Sequence, residues 1–269
     1  MALKEKFVRF LIGSGALVFG DFTLKSGRKS PYMINTGKID SGIELARLGC
    51  YYARTIYEKI ELGVIPRDIT ILFGSAYKGI PLATTTAIAA SAAYGLKAGY
   101  AFNRKEAKDH GEGGVFVGRK PGHGDKVLVI DDVMTAGTAL RDTVDMIGMH
   151  APEAKVVGSV IAVDRCERGR DERLTAVAET QYEMGFPIFS IISIDEIVEL
   201  LKSGRLIDGF CGGDAEDEAL DEKGASFRVD ICGNGDGYDD GYADKIRAAL
   251  PTKEQIAAIE SYLKEFRPR

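Results

Sequence analysis

The sequence predicts an α/β protein built on a central, mainly parallel β-sheet flanked by helices. Two segments with helical periodicity, residues 79–95 and 135–151, lie between apolar segments of strand length. This alternation is the βαβ rhythm of a parallel sheet. Residues 127–130 form an unbroken apolar run, typical of a strand covered on both faces. The predicted strands are residues 68–76, 97–103, 126–133, 154–165 and 188–197.

The segments on either side of the sheet complete the main predicted domain, residues 1–206. Residues 1–60 are predicted to form an N-terminal hood, which has a helix, a short β segment around residues 22–35 and a second helix over residues 41–60. A further helix is expected at residues 195–204, directly after the last strand.

An acidic, glycine-rich stretch precedes the last helix. Residues 207–245 hold twelve acidic and three basic side chains and few large apolar ones. We therefore expect residues 207–250 to form a surface insertion, because they cannot bury enough apolar surface to offset their ordering entropy. No register of these acids fits a calcium-binding loop. Residues 251–269 are predicted to form a helix that packs on the core. Its docking residues are Ile256, Ile259, Tyr262 and Leu263.

Charge and composition indicate which kinds of molecule the protein is expected to bind. The formal net charge of −5 argues weakly against a nucleic-acid partner, while the chain outside the acidic stretch is mildly basic, as suits a binder of small anions. No apolar run reaches the roughly 18 residues of a membrane span, so no membrane partner is expected. The four cysteines form no C-x-x-C pair, which predicts reduced thiols and a cytoplasmic location.

The segment "KVLVIDDVMTAGTAL" carries the strongest functional signal. Its apolar strand ends in Asp131 and Asp132, two like charges that are stable side by side only if hydroxyls, a metal or a cation meets them. The turn that follows begins a helix, whose free N–H groups favour a phosphate, and paired sugar hydroxyls are good donors to carboxylates. A simple helix N-cap would explain one acid and not two. The predicted phosphate-binding residues are Thr135, Ala136, Gly137 and Thr138.

With four further motifs, this segment makes the chain similar to the type I phosphoribosyltransferases, and within them to the enzymes that use orotate. The other motifs are "FTLKSGRKSPY", "GSAYKGIPLA", "FNRKEAKDHGEGG" and "DRCERG". The resemblance implies the type I phosphoribosyltransferase fold with an N-terminal hood and a mobile catalytic loop. It also implies orotate and 5-phosphoribosyl 1-diphosphate (PRPP) as substrates, Mg²⁺ bound through PRPP and not by the protein, and a homodimer with shared active sites.

The loop "FNRKEAKDHGEGG" concentrates cations and glycines, which predicts a mobile, hairpin-like element. Cations that arrive as such a loop closes can stabilise charge on a leaving diphosphate. Taken alone, the pattern fits a solvated charge run on an edge hairpin equally well. By resemblance the loop reaches the diphosphate, and Lys108 and His110 serve the active site of the neighbouring subunit. Its predicted catalytic residues are Arg104, Lys105, Lys108 and His110.

The turn "GSAYKG" follows a strand and places glycines on both sides of Tyr77 and Lys78. Such a turn can present backbone N–H groups and an ammonium to a diphosphate. The alternative is an ordinary strand-to-helix turn with a solvated lysine. The resemblance implies diphosphate binding and a non-proline cis peptide in this turn. It also assigns Asp131 and Asp132 to the ribose hydroxyls, with Asp132 able to take part in proton movement.

Base recognition is implied by the resemblance alone. Lys25 and Arg165 would supply the fixed cations that the orotate carboxylate needs, and Thr135 would lie beside the base. One departure concerns Met33 and Ile34, where the family often has two aromatic residues; the backbone can still bind the base, but ring stacking is lost. Two alternatives stay open, a phosphoribosyltransferase for another base and a regulator that binds PRPP without catalysis.

Overall fold

The computed structural model describes the chain except for its first and last residues and three internal gaps. The described residues are 2–24, 27–108, 114–208 and 240–268. No helix among them is long and apolar enough to cross a membrane.

The secondary structure comprises nine α-helices and eight strands within the described residues. The helices are α1 (Ala2–Gly13), α2 (Gly42–Glu61), α3 (Gly79–Tyr94), α4 (Thr138–His150), α5 (Ala176–Met184), α6 (Ile194–Ser203), α7 (Arg205–Asp208), α8 (Asp240–Ala249) and α9 (Lys253–Phe266). The strands are β1 (Leu17–Thr23), β2 (Lys29–Ile34), β3 (Ile71–Gly74), β4 (Gly99–Lys108), β5 (Gly114–Gly118), β6 (Lys126–Met134), β7 (Lys155–Asp164) and β8 (Ile188–Ser193).

The chain divides into two compact units, and the division falls inside α2. The first unit contains Met1–Arg47 and Ile194–Phe266, and the second contains Leu48–Ser193 and Arg267–Arg269. Residues 1–47 of the predicted hood, residues 1–60, therefore belong to the first unit. They share that unit with α6 to α9 rather than standing alone.

The second unit is built on a six-stranded sheet in the order β5-β4-β3-β6-β7-β8. All neighbouring strands are parallel except β5, which runs antiparallel to β4 at one edge. This confirms the predicted, mainly parallel sheet. Residues 127–130 of the central β6 are fully buried, as expected for an apolar run in the middle of a parallel sheet.

Helix α4 covers part of this sheet through two apolar clusters. Ile147 of α4 is buried with Phe73 of β3 and Val127 of β6, and Leu140 is buried with Val129 of β6 and Ile161 of β7. These contacts hold α4 against the sheet. The loop of residues 135–137 therefore connects two packed elements, β6 and α4.

The first unit pairs β1 and β2 as an antiparallel hairpin. Helix α9 packs against β2 and α6, and the ring of Tyr262 meets that of Tyr32 edge-on at 5.9 Å between centroids. The predicted docking residues Ile259, Tyr262 and Leu263 are buried, whereas Ile256 is only half-buried.

Four sequence expectations need correction. Helix α8 lies inside the stretch expected to form a surface insertion; its Ile246 is fully buried, and the helix packs against α1. Helix α5 was not predicted, and the last predicted strand stops at Ser193, where α6 begins. Cys166 is a free thiol, but Cys50 is disulfide-bonded, so the expectation of reduced thiols is wrong for Cys50. Residues 209–239 lie outside the described residues.

Candidate active site

Three polar segments of the second unit meet at the carboxyl end of its sheet. β3 pairs with β6 so that Gly74 lies opposite Ile130, and β6 pairs with β7 so that Met134 lies opposite Asp164. The segments that follow these strands, residues 75–78, 135–137 and 165–167, therefore leave the same edge of the sheet. Ligand sites of open α/β sheets form at this edge.

The paired acids lie at the end of β6, as predicted. Asp132 is buried, and its Oδ2 lies 2.8 Å from Nζ of Lys78. Asp131 Oδ1 accepts a hydrogen bond from the backbone N–H of Asp132 at 2.8 Å. Burial, followed by the nearby charge of Asp132, raises the pKa of Asp131 to about 6. Asp132 is thus paired with a cation, whereas Asp131 is partly buried beside a like charge. Hydrogen-bond donors from a ligand would stabilise the ionised form of Asp131.

Tyr52, a residue that the sequence interpretation missed, supports this strand end. It is fully buried, and its hydroxyl donates a hydrogen bond to the backbone carbonyl of Asp131 at 2.7 Å. Burial and the charges of the two acids raise the pKa of Tyr52 well above its ordinary value, so the hydroxyl keeps its proton. The backbone that carries the acids is therefore held from α2.

The loop after β6 has the shape expected of an anion cradle. Thr135, Ala136 and Thr138 are exposed, and Gly137 is buried between them. Gly137 has a φ of +69°, and a Cβ there would lie 2.3 Å from Thr180 Oγ1. Only glycine fits this position. Because α4 begins at Thr138, its free N–H groups and positive dipole end meet the exposed loop residues.

The turn after β3 is held by two side chains of neighbouring elements. Asn103 of β4 accepts a hydrogen bond from the N–H of Ala76 at 2.9 Å, and Ser75 and Thr143 share a hydrogen bond of 2.7 Å between their hydroxyls. The Ala76–Tyr77 peptide bond is cis, as the resemblance implies. The turn places Lys78 beside Asp132, whereas the side chain of Tyr77 is largely exposed.

The cation-rich segment forms the predicted hairpin from β4 and β5, with Lys108 opposite Gly114. Arg104 is half-buried, and its buried Nε has no hydrogen-bond partner among the residues that the structure describes. The side chains of Lys105 and Lys108 and the whole of His110 lie outside the described residues. The catalytic role of this loop and its mobility stay predictions.

The residues expected to bind the base lie in different parts of the chain. Arg165 is buried and forms an ion pair of 2.7 Å with the buried Glu167, so it is a fixed cation rather than a surface residue. Met33 and Ile34 lie on β2 of the first unit, opposite Val18 and Leu17 of β1. Lys25 falls outside the described residues. The base-binding roles of these residues stay predictions.

Comparisons with known proteins agree with this geometry. A family model described as "Phosphoribosyl transferase domain" matches residues 51–185. The chain is 50% identical over 208 residues to an orotate phosphoribosyltransferase of Bifidobacterium adolescentis, covering 77% of this chain and 90% of the relative. It is also 50% identical over 200 residues to an orotate phosphoribosyltransferase of Pseudomonas aeruginosa, covering 74% of this chain and 89% of the relative.

A solved structure with the same fold extends over nearly the whole chain. The crystal structure of orotate phosphoribosyltransferase from Francisella tularensis superposes with a TM-score of 0.67 at 30% identity, covering 97% of this chain and 99% of that one. The similarity therefore includes the first unit as well as the sheet of the second.

Proposed function

Since the chain belongs to the family of orotate phosphoribosyltransferases, we propose that it joins orotate to the phosphoribosyl group of PRPP. The products would be orotidine 5′-phosphate and diphosphate, as in pyrimidine biosynthesis. N1 of orotate forms a bond to C1′ with inversion, while the bond from C1′ to the diphosphate oxygen breaks.

The observation that carries this proposal is the adjacency of the acidic pair and the anion cradle on one strand and its loop. Asp131 and Asp132 end β6, and the exposed loop residues Thr135 and Ala136 lead directly into α4. A ribose 5-phosphate has donors at its 2′ and 3′ hydroxyls and an anion at the other end. The carboxylates of the strand end can accept from the ribose hydroxyls, and the N–H groups of the following loop can donate to the phosphate.

The reaction needs positive charge beside the leaving diphosphate, since the transition state leaves charge on its oxygens. Lys78 supplies an ammonium that is about half exposed and within 2.8 Å of Asp132, so a ligand can reach it. Arg104, with a buried Nε that has no partner in the described part of the chain, is proposed to act with Lys105, Lys108 and His110 on the same group.

We propose that Mg²⁺ enters with PRPP. Within the described residues, no group of three or more His, Cys, Asp or Glu side chains is placed to hold a metal ion, and Asp132 is already paired with Lys78. The acids near Lys78 are therefore compatible with a Mg²⁺ ion that takes most of its ligands from the diphosphate. When bound, Mg²⁺ would neutralise charge on the leaving oxygens.

Catalysis is then mainly positioning and electrostatics. Orotate already carries a carboxylate, so we propose that no strong base is needed and that Asp132 takes part in moving the N1 proton. The base-binding roles proposed for Lys25, Met33, Ile34, Thr135 and Arg165 rest on family membership. A cytoplasmic location likewise stays a prediction.

We further propose a homodimer with shared active sites. Helix α3 carries small and apolar residues around its whole circumference, which is typical of a helix that is covered on all sides. Yet Ile88 of α3 is 66% exposed and Tyr100 of β4 is 41% exposed, and both line one shallow groove. A second copy of the chain packed on this face would cover them.

Subunit mixing tests the shared sites. Lys108→Ala chains and Asp131→Asn/Asp132→Asn chains should each be inactive alone. After subunit exchange, the mixture should recover about a quarter of the wild-type rate, because half of the dimers are mixed and each has one complete site. A mixture that stays inactive after exchange is confirmed by mass spectrometry would contradict sharing.

The proposed activity is tested by following the ultraviolet absorbance of orotate. The signal should fall only when PRPP and Mg²⁺ are both present, and hypoxanthine, adenine or uracil in place of orotate should give no nucleotide. Transfer to one of those bases would instead identify a phosphoribosyltransferase for another base. Tight binding of PRPP without conversion of any base would identify a regulator.

A further inference from the structure

The loop between β6 and α4 is tied to α5 by the side chain of Arg141. From the first turn of α4, Arg141 NH1 donates a hydrogen bond to the backbone carbonyl of Ala136. Its NH2 donates to Thr180 Oγ1 at 3.1 Å, and its Nε donates to Glu183 Oε2 at 2.7 Å. One guanidinium therefore joins the loop to two residues of α5.

Further contacts hold this guanidinium in place. Glu183 also accepts a hydrogen bond from Arg170 NH2 at 2.7 Å, and the backbone N–H of Arg170 donates to Glu179 at 2.7 Å. The Arg141 side chain is only 16% exposed. A planar, multiply bonded arginine with little exposure has few alternative positions, so it can act as a rigid brace.

The loop also lies too close to this brace to shift toward it. A Cβ on Gly137 would be 2.3 Å from Thr180 Oγ1 and 2.8 Å from Arg141 NH1. A side chain at Gly137 would therefore clash with Arg141 NH1, which donates to the Ala136 carbonyl, and with Thr180, which accepts from the same guanidinium. The close packing and the hydrogen bond both act on the side of the peptide that faces Arg141, and together they determine its position.

The brace also fixes which way the peptide points. The bond between Ala136 and Gly137 is not among the cis peptides, and in a trans peptide the C=O and the N–H point in opposite directions. Because the carbonyl of Ala136 is directed toward Arg141, the N–H of Gly137 is directed away from it. A reversed peptide would instead present a carbonyl oxygen to the phosphate and repel it.

We propose that Arg141 is a positioning residue for the 5′-phosphate of PRPP. It acts through the Ala136 peptide, holding the loop in the orientation that offers N–H donors to the anion, and it does not touch the phosphate. Nothing in the sequence motif itself marks Arg141, since the brace depends on Thr180 and Glu183 about 40 residues later. The inference rests on the proposed function of the loop.

The test uses two ligands that each contain one end of PRPP. Calorimetry with ribose 5-phosphate reports on the phosphate loop, and calorimetry with magnesium diphosphate reports on the turn at Lys78. Arg141→Met should weaken ribose 5-phosphate binding by about tenfold or more while diphosphate binding stays within about twofold. In turnover, KM for PRPP should rise while KM for orotate is unchanged.

Two further variants separate bracing from charge. Arg141→Lys keeps the charge but cannot hold three acceptors, so ribose 5-phosphate binding should weaken nearly as much as in Arg141→Met. Arg173→Met is the matched control, because Arg173 is an exposed arginine that pairs with Asp171 nearby in the chain. It should leave both dissociation constants unchanged.

Several results would overturn the inference. They are an unchanged affinity of Arg141→Met for ribose 5-phosphate, an equal loss for both ligands, and a wild-type affinity of Arg141→Lys. If Arg141→Met does not fold, Thr180→Val with Glu183→Met removes both acceptors on α5 and keeps the arginine; unchanged ribose 5-phosphate binding in that variant would also overturn it. A wild-type protein that binds ribose 5-phosphate but does not convert orotate contradicts the proposed function instead.

Discussion

Lys78, in the turn after β3, and Asp132, at the end of β6, form an ion pair with 2.8 Å between Nζ and Oδ2. The pair joins the proposed diphosphate turn to the proposed ribose-binding acids. Since the lysine side chain is 54% exposed and the aspartate 12%, the ammonium lies on the open side of the pair. It is therefore placed to contact an incoming diphosphate while it remains near the carboxylate.

Lys78→Met should raise KM for PRPP by about tenfold or more, because a charged contact to the diphosphate is lost. Lys126→Met is the matched control, since Lys126 lies at the opposite end of β6 and pairs with Asp68. The control should change KM by less than about twofold. Steady-state kinetics at saturating orotate measures both. An unchanged KM in Lys78→Met would remove Lys78 from the proposed site.

Asp131 makes stability depend on pH. Its pKa is raised from 3.8 to about 6 by burial and by Asp132, so the folded chain binds a proton more tightly than the unfolded chain does. The free energy of unfolding then decreases as pH rises through this interval, and the penalty persists above it. Asp131→Asn should therefore be more stable than wild type at pH 7.5, on the order of 3 kcal/mol, and by only a small part of that near pH 4.

Urea unfolding of wild type and Asp131→Asn at the two pH values measures this difference. A stability difference of the same size at both would show that it does not come from titration of Asp131.

Tyr52→Phe should weaken both stability and activity. The hydroxyl of Tyr52 is the donor to the carbonyl of Asp131 at 2.7 Å, and its loss leaves that buried strand end less well satisfied, at a cost of about 1–2 kcal/mol. Since the same peptide carries the acids, kcat/KM for PRPP should also fall. Tyr182→Phe is the control, because Tyr182 is 86% exposed. Equal stability and equal kcat/KM for PRPP in the two variants would contradict a supporting role for Tyr52.

A Gly/Ser linker in place of residues 209–239 should keep orotate turnover within a few-fold of wild type. A second variant that replaces residues 209–250 should unfold at a lower temperature, because it also removes α8. The buried Ile246 and the hydrogen bond of 3.3 Å from the Tyr242 hydroxyl to the Arg9 carbonyl are then lost. Equal melting temperatures of the two variants would show that α8 contributes little to the fold.

The sequence predicted features that depend on local chemistry. The apolar run of β6, the acids that follow it and the glycine of the phosphate loop are all encoded within residues 126–138. Helix α8 was missed because the acidic, glycine-rich composition around it obscured the few apolar residues that pack. Helix α5 had usable signals, a Thr175 N-cap and a Gly185 C-cap.

Other parts of the site depend on contacts between residues that are distant in the chain. Tyr52 reaches Asp131 across 79 positions, Asn103 reaches Ala76 across 27, and Arg141 reaches Thr180 across 39. Spacing along a single sequence carries no information on such pairs. The fold that creates them must be known first.

We propose that the acids at the end of β6 hold PRPP for transfer to orotate. The most direct measurement compares wild type with Asp131→Asn/Asp132→Asn for the formation of orotidine 5′-phosphate from orotate, PRPP and Mg²⁺. The variant preserves side-chain volume and removes the charge that accepts the ribose hydroxyls, so it should lose most turnover while melting no lower than wild type. An undiminished rate in the folded variant, or no orotidine 5′-phosphate from the wild type, would contradict this role of the two acids.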